Sequence, residues 1–342
     1  MAYLIFSLSL LLVFVGLALA LHVQFGLLGV PNFGVVGFWG LGMYLMGVFQ
    51  VQLELSFFDA FLLVTLAMLA VSLVIGRLVL RMDSQSMVCA TIAFGTLVAL
   101  LVVTEKWATM GVVGLGTIRY PIRLFDLAEP IYFVLLIGVV AGLQLYVIKL
   151  HRSTTGRLLM AIRDNEELVA SLGKDTYRVK TFWFVATCTV MGLLGALSAP
   201  LNQFLTPNML VPSVTFAVWI ALVLGGKEHS LGATMGVFIT FGVFDILIET
   251  YAPVSPELAV YVPNLKLFIY GLLLIGILIF RPTGVLERDA PIDAALDSAL
   301  LKAAGARKAL VGAASVTAAK GQQAAAAAKA RAETLLKRGD AP

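Results

Sequence analysis

The sequence predicts an all-α protein, a polytopic transmembrane helical bundle of eight to ten membrane-spanning or re-entrant helices. Three observations predict it. Of the 342 residues, 60% are hydrophobic and 13% charged, whereas a soluble domain runs at roughly 45–50% apolar and about 25% charged. The mean hydropathy is +0.97. The apolar residues also come in unbroken runs close to the ~20 residues that cross a hydrocarbon core. Lipid admits only helices and closed barrels, and barrel strands would alternate in polarity over segments of about ten residues.

In order, the apolar runs fall near 2–22, 34–51, 57–80, 86–104, 130–150, 181–204, 212–225, 231–251 and 264–281. The first lacks a basic flank and a small-residue cleavage site, so it is expected to be a retained helix. Two runs are weak: 34–51 is rich in glycine and follows Pro31-Asn32, and 212–225 is short and ends in Gly225-Gly226. Each is expected to be a complete span or a broken, re-entrant helix, a form tolerated only where protein or water shields the backbone. The series Gly26, Gly29, Gly34, Gly37, Gly40, Gly42 and Gly47 supports two readings, close helix packing and an unwound stretch whose backbone contacts a solute.

Lysine and arginine set the orientation. Lys149, Arg152, Arg157, Arg163, Lys174, Arg178 and Lys180 share one loop, Arg77 and Arg81 mark another helix end, and Arg281 and Arg288 follow the last run. All are expected on the cytoplasmic side. Counting back from the tail puts the N-terminus outside. The chain thus divides into a transmembrane part, 1–288, containing a cytoplasmic loop, 151–180, and an Ala-rich tail, 289–342. The tail reads as a disordered or loosely helical appendage, the alternative being a helix that meets a partner or the membrane surface.

The loop carries the most information. Leu158, Leu159, Ile162, Leu168, Val169 and Leu172 recur at spacings of short amphipathic helices, with Arg163, Asp164, Glu166 and Glu167 between them. Asp164 or Asn165 can cap a helix running to Leu172, with Glu166 and Glu167 favourable in its first turn and Gly173 as its stop. Its apolar face needs a cover, which is either the protein's own helix ends or a partner.

Few ionisable residues lie within the apolar runs, and such residues are the usual marks of an ion path. Asp245 and Glu249 stand four apart on one helix face. They suit either a pole for a solute's ammonium group or a water-facing helix end. The two cysteines, Cys89 and Cys188, read as small buried hydrophobes. His22, His151 and His229 are dispersed and show no metal-ligand spacing. The chain contains no nucleotide-binding loop, no catalytic triad and no nucleic-acid patch.

Five blocks together resemble the membrane subunits of ABC importers of the branched-chain amino acid type. Within the loop these are Gly156-Arg157-Leu158, Ala161-Ile162-Arg163-Asp164-Asn165-Glu166, Ala170-Ser171-Leu172-Gly173 and Arg178-Val179-Lys180. The others are Leu80-Arg81 with Ala93-Phe94-Gly95, Thr109 to Ile118, Leu224-Gly225-Gly226 with Leu231-Gly232-Ala233, and Phe280-Arg281-Pro282-Thr283-Gly284-Val285-Leu286. Their order and spacing cover about residues 20–286. The departures are Thr96 for an acidic residue, Met110 for a glycine, Lys227-Glu228-His229 for a Gly-rich turn, and Pro31-Asn32-Phe33-Gly34 for a Ser-Leu-Gly-His-like run.

The resemblance implies a permease subunit in a bacterial cytoplasmic (inner) membrane that moves branched-chain or related amino acids inward. Urea, amides and aromatic acids are the alternative cargo, and a self-sufficient secondary transporter is a more distant reading. It implies no catalysis and no cofactor on this chain, with ATP-Mg hydrolysed on separate cytoplasmic ATPase subunits. The other implied partners are a second, homologous permease chain (a heterodimer) and a periplasmic or extracellular solute-binding protein. The expected ATPase-coupling residues are Gly156, Arg157, Ile162, Arg163, Asp164, Glu166, Ala170 and Gly173. The expected substrate path includes Asn32, Phe94, Thr96, Asp245 and Glu249.

Overall fold

A computed structural model describes residues 2–116, 118, 120 and 128–245, together with positions 268, 269, 271, 272, 275, 276 and 279. Among these residues the chain is helical throughout, without a β-strand. Helix α1, Ala2–Leu21, is apolar on every side and mostly enclosed; it continues as a π-helical turn, His22–Leu27. Extended chain leads to α2, Val35–Val51. Then α3, Phe57–Val79, and α4, Ser84–Thr104, form a hairpin. A short turn, α5, Lys106–Thr109, comes next, and the following long helix is α6, Ala128–Arg152. The loop folds as α7, Thr154–Asp164, and α8, Glu166–Ser171. Helix α9, Thr176–Asn202, is the longest. The described chain ends with α10, Pro212–Gly225, and α11, Gly232–Val237, which runs into a π-helical stretch, Phe238–Asp245.

Six stretches of the described residues are long and apolar enough to cross a membrane: Leu4–Leu27, Phe57–Val79, Ser84–Thr104, Glu129–Arg152, Thr176–Asn202 and Pro207–Gly225. Val35–Val51 and Gly232–Gly242 are shorter apolar helices. Against the expected eight to ten, the described residues show six full-length spans and two short apolar helices. The last apolar run is described only at scattered positions, and the tail 289–342 lies outside the described residues.

The elements alternate between a basic end, which holds the 151–180 loop, Arg77, Arg81 and Lys227, and an opposite end. At the opposite end Leu115 and Leu205 exchange backbone hydrogen bonds of 2.9 and 2.7 Å, and the Gln52 amide donates to the carbonyls of Trp107 and Ala108. Several helix starts are set locally. Ser56 accepts from the Asp59 N–H to open α3, and Ser86 donates its hydroxyl (2.7 Å) and backbone N–H (3.2 Å) to Asp83 to open α4. The hydroxyl of Ser86 is the main cause that holds the Asp83 carboxyl below its ordinary value. This cap is therefore present above the unfolded carboxylate range and lost as pH falls through the lowered value.

The centre of the bundle is the contact of α2 with α9. A side chain at Gly42 would run into the carbonyl of Gly192, and one at Gly195 into that of Trp39. Backbones this close exploit small residues, the usual basis of helix association in lipid. Met68 of α3 fills the remaining space at Gly192. Cys188 is buried here, whereas Cys89 is exposed on α4, contrary to its expected burial. Gly42→Leu is expected to cost the bundle more than the about 1–3 kcal/mol typical of an overpacked core, because backbone must move. Thermal unfolding of the detergent-solubilised protein, followed by size-exclusion monodispersity, reads this; an unchanged midpoint would contradict the packing.

Candidate functional site

Two regions carry the polar chemistry, and the π-helical turn joins them. The first is the loop at the basic end. Ser153 accepts from the Gly156 N–H at 3.0 Å and opens α7, and Gly156 is buried against the carbonyl of Leu150, where no side chain fits. Asn165 accepts from the Leu168 N–H at 3.0 Å and opens α8, and Gly173 ends it at φ +80°. These caps match the expected ones. Lys180 of α9 pairs with Glu166 and holds α8 against the helix bundle.

The apolar residues of the loop divide between the two possible covers. Leu159 and Ile162 are buried, so Ile162 packs on the chain's own helices and offers no anchor to a partner. Val169 is buried as well, while Leu168 is 58% and Leu172 75% exposed. Arg157, Asp164 and Ala170 are exposed. Arg163, expected to set the register of a partner, turns inward. Its Nη1 donates to the Gly26 carbonyl at 2.6 Å, and its Nε donates to Asp164 at 3.0 Å.

The second region is the extended segment 28–34. The segment leaves the helix inside the bundle, where every backbone polar group needs a partner. Side chains supply them. Thr91 accepts from the Phe33 N–H (3.1 Å), Thr215 accepts from the Val36 N–H (3.1 Å), and the Trp219 indole donates to the Asn32 carbonyl (3.0 Å). The Asn32 amide accepts from the Gly34 N–H (2.8 Å) and donates to Gln24 (3.0 Å), and Gln24 in turn donates to Cys188 Sγ (3.1 Å). Asn32, Gln24 and Cys188 are all fully buried. Within the glycine series, Gly42 allows close packing, and Gly29 and Gly34 lie in the non-helical segment 28–34.

Beside this segment lies a recess of about 80 Å³ lined by Phe33, Val36, Thr96, Leu210, Thr215 and Phe216, among others. Its size is well under the roughly 300 Å³ at which small-molecule pockets begin, and Ile92, Thr96, Pro212 and Phe216 around it are exposed. Thr96 lines the recess; Phe94 is buried behind it and packs on Phe38 with ring centroids 4.6 Å apart. Asn32 is enclosed by its partners and does not line the recess. Asp245 is described only as the backbone end of the last π-helical stretch, and Glu249 lies outside the described residues.

Tertiary structure also brings together groups far apart in sequence. His22 and His151, expected to be dispersed, stack with ring centroids 6.4 Å apart, and His229 lies within electrostatic reach of His22. Gln24, Thr91, Thr215 and Trp219 were not singled out by sequence. An amide at the end of an apolar run and seven residues upstream of Pro31-Asn32 was the available signal for Gln24; the threonines sit in apolar helices like any hydroxyl that bonds its own backbone.

Similarity searches place this architecture among known proteins. The family described as branched-chain amino acid transport system / permease component matches residues 3–278. A relative from Salmonella typhimurium, the high-affinity branched-chain amino acid transport system permease protein LivM, is 26% identical over 305 residues, covering 82% of this chain and 69% of its own length. The protein of the same name from Escherichia coli is 25% identical over 308 residues, 83% and 70% of the two chains. A probable branched-chain amino acid transport permease protein LivM from Methanocaldococcus jannaschii is 24% identical over 170 residues, 47% and 48% of the two chains. No solved structure matches.

Asn32→Leu strands the Gln24 carbonyl oxygen and the Gly34 N–H, each a buried group whose desolvation costs about 1–3 kcal/mol. We expect a destabilisation of that size in thermal unfolding of the purified protein. Gln24→Leu combined with Asn32→Leu is expected to cost less than the sum of the two single changes, because neither then leaves the other unpaired. Strict additivity would show that the two amides do not interact.

Proposed function

The chain belongs to the family of permease components of branched-chain amino acid transport systems, and from that membership we propose that it is the membrane-spanning permease subunit of an ATP-driven importer that moves branched-chain or related amino acids inward. It forms the path and hydrolyses nothing itself; ATP-Mg is hydrolysed by separate cytoplasmic ATPase subunits. The other half of the path is a second permease chain, and an external solute-binding protein delivers the cargo. The protein sits in the cytoplasmic membrane with its basic end inward, as the distribution of lysine and arginine favours.

One observation supports the coupling role. Helix α8 is capped at both ends and pinned by Lys180–Glu166, yet Leu168 and Leu172 face outward from it. A partner surface gains most from apolar side chains held on a rigid element, since little conformational entropy is lost when they are covered. Arg157 and Ala170 lie on the same exposed part of the loop. Ile162 and Gly156 contribute by seating α7 on the bundle, and Asp164 by orienting Arg163. The caps hold the loop's shape whether or not a partner is present.

Alternating access then requires the small recess beside residues 28–34 to widen. Phe33, stacked on Trp219 at 4.3 Å and edge-on to Phe216 at 6.0 Å, and Thr96 across from it, would be the first groups to part. Replacing Leu168 and Leu172 together by aspartate is expected to weaken association with the ATPase by about tenfold or more, the loss typical of central apolar anchors. Co-purification from membranes, with uptake of radiolabelled leucine, measures it. Undiminished association with full uptake would defeat this reading.

A further inference from the structure

Arg163 spans three separate pieces of the chain. It belongs to α7. Its guanidinium donates at 2.6 Å to the carbonyl of Gly26 in the π-helical turn, and its Nη2 lies 4.0 Å from Glu228 in the connection between α10 and α11. The aliphatic stem lies against Gly29. A Cβ there would sit 2.6 Å from Arg163 Cγ, and Gly29 is at φ +75°, so both the space and the backbone conformation exclude a side chain. The side chain of Arg163 is only 19% exposed.

The Gly26 carbonyl lies near the C-terminal end of the first helix, where carbonyls lose their helical partners and negative charge accumulates. An arginine satisfies both needs with one contact, and a charge-assisted hydrogen bond in a poorly hydrated site is among the stronger ones. Beyond that carbonyl the backbone is weakly braced. Leu28 N–H bonds Val23 at 3.3 Å, Gly29 N–H bonds Phe25 at 3.2 Å and Val30 N–H bonds Gln24 at 2.9 Å, the first and last in wide rings, and no such bond follows Val30 in the segment. Then comes the extended stretch held by Asn32, Thr91 and Trp219. Six residues separate the arginine's attachment at Gly26 from Asn32, and the next, Phe33, lines the recess.

We propose that Arg163 is a positioning residue that ties the α7–α8 element to the segment 28–34, so that displacement of the loop is delivered to the groups lining the recess, and that it does not contact the ATPase. This rests on the reading of the chain as an ATP-driven permease. The mechanical argument is one of relative stiffness. α7 is a capped helix seated by Leu159 and Ile162, and α9 is packed along its length, whereas residues 28–34 have no helical ladder. A pull transmitted through Gly26 is therefore taken up by rotation of that segment, which beyond Val30 is held by side-chain hydrogen bonds.

The test has two arms. In the first, the complex of permeases, ATPases and solute-binding protein is reconstituted in liposomes with radiolabelled leucine as probe, and ATPase retention, ATP turnover and uptake per ATP are measured. Arg163→Gln is expected to retain the ATPase and its turnover while uptake per ATP falls about tenfold or more, the equivalent of losing one charged hydrogen bond. Gly29→Ala is expected to give the same split from the other side of the contact. Loss of the ATPase from a correctly folded Arg163→Gln complex, or unchanged uptake per ATP, overturns the proposal.

In the second arm, amide hydrogen exchange is followed on the full chain alone in detergent. Exchange at Leu28, Gly29, Val30 and Phe33 is expected to rise about tenfold in Arg163→Gln with α9 unchanged; equal exchange overturns the tether. This arm needs no ATPase, so a wild-type chain that binds none refutes the functional reading while the exchange result still judges the contact. If Arg163→Gln aggregates, Arg163→Lys replaces it in both arms. Lysine keeps the charge but not the fork, so intermediate coupling and exchange support the tether and wild-type values refute it.

Discussion

A backbone that leaves its helix inside an apolar bundle must have every donor and acceptor satisfied by the protein, because no water is available there to do it. Residues 28–34 are the place where this chain meets that constraint, and much of the surrounding structure follows from it. Thr91 must come from α4, Trp219 from α10, and Gln24 from the preceding turn, so three elements converge on seven residues, and Thr215 of α10 holds Val36 just beyond them. Once those positions are set, α2 begins where it does and its glycine face meets α9. The helix would otherwise continue unbroken, since the residues before Pro31 are as apolar as those in any span.

The same segment determines what can move. α2 and α9 touch through backbone, a contact that tolerates neither sliding nor a larger side chain. The segment, by contrast, is held largely by hydrogen bonds from side chains. Stiff helices meeting at a soft junction make a bistable element, the kind that converts a displacement at one end into a rearrangement at the other. The basic end supplies the lever: α7 rests on buried Leu159 and Ile162, α8 is held by Lys180 and Glu166, and Arg163 joins the pair to the junction.

The division of labour within the loop explains why one short region can contact two surfaces. Its buried positions alternate with exposed ones at helical spacing, so Ile162 and Val169 face the bundle while Leu168 and Leu172 face away. A helix of one turn and a half could not hold such an arrangement by itself. Its caps, Asn165 and the positive-φ Gly173, close the ends, and the ion pair fixes its tilt.

What the sequence by itself determined about this protein follows from local rules. The helical class comes from run lengths and the absence of alternation, the loop helices from Asn165 and Gly173, and the basic end from the clustering of Lys149 to Lys180. Each rests on interactions within a few residues, or on the solvent a residue prefers, and so is written in order along the chain. The direction of Arg163, the meeting of His22 with His151, and the partnership of Gln24 with Asn32 and Cys188 were decided only by the tertiary structure. Arg163 and Gly26 lie 137 residues apart, and Gln24 and Cys188 164. A guanidinium carries the same charge whether it faces a partner or its own helix end. Which of the two it meets depends on how the helices pack, and the close approach of α2 to α9 settles that packing.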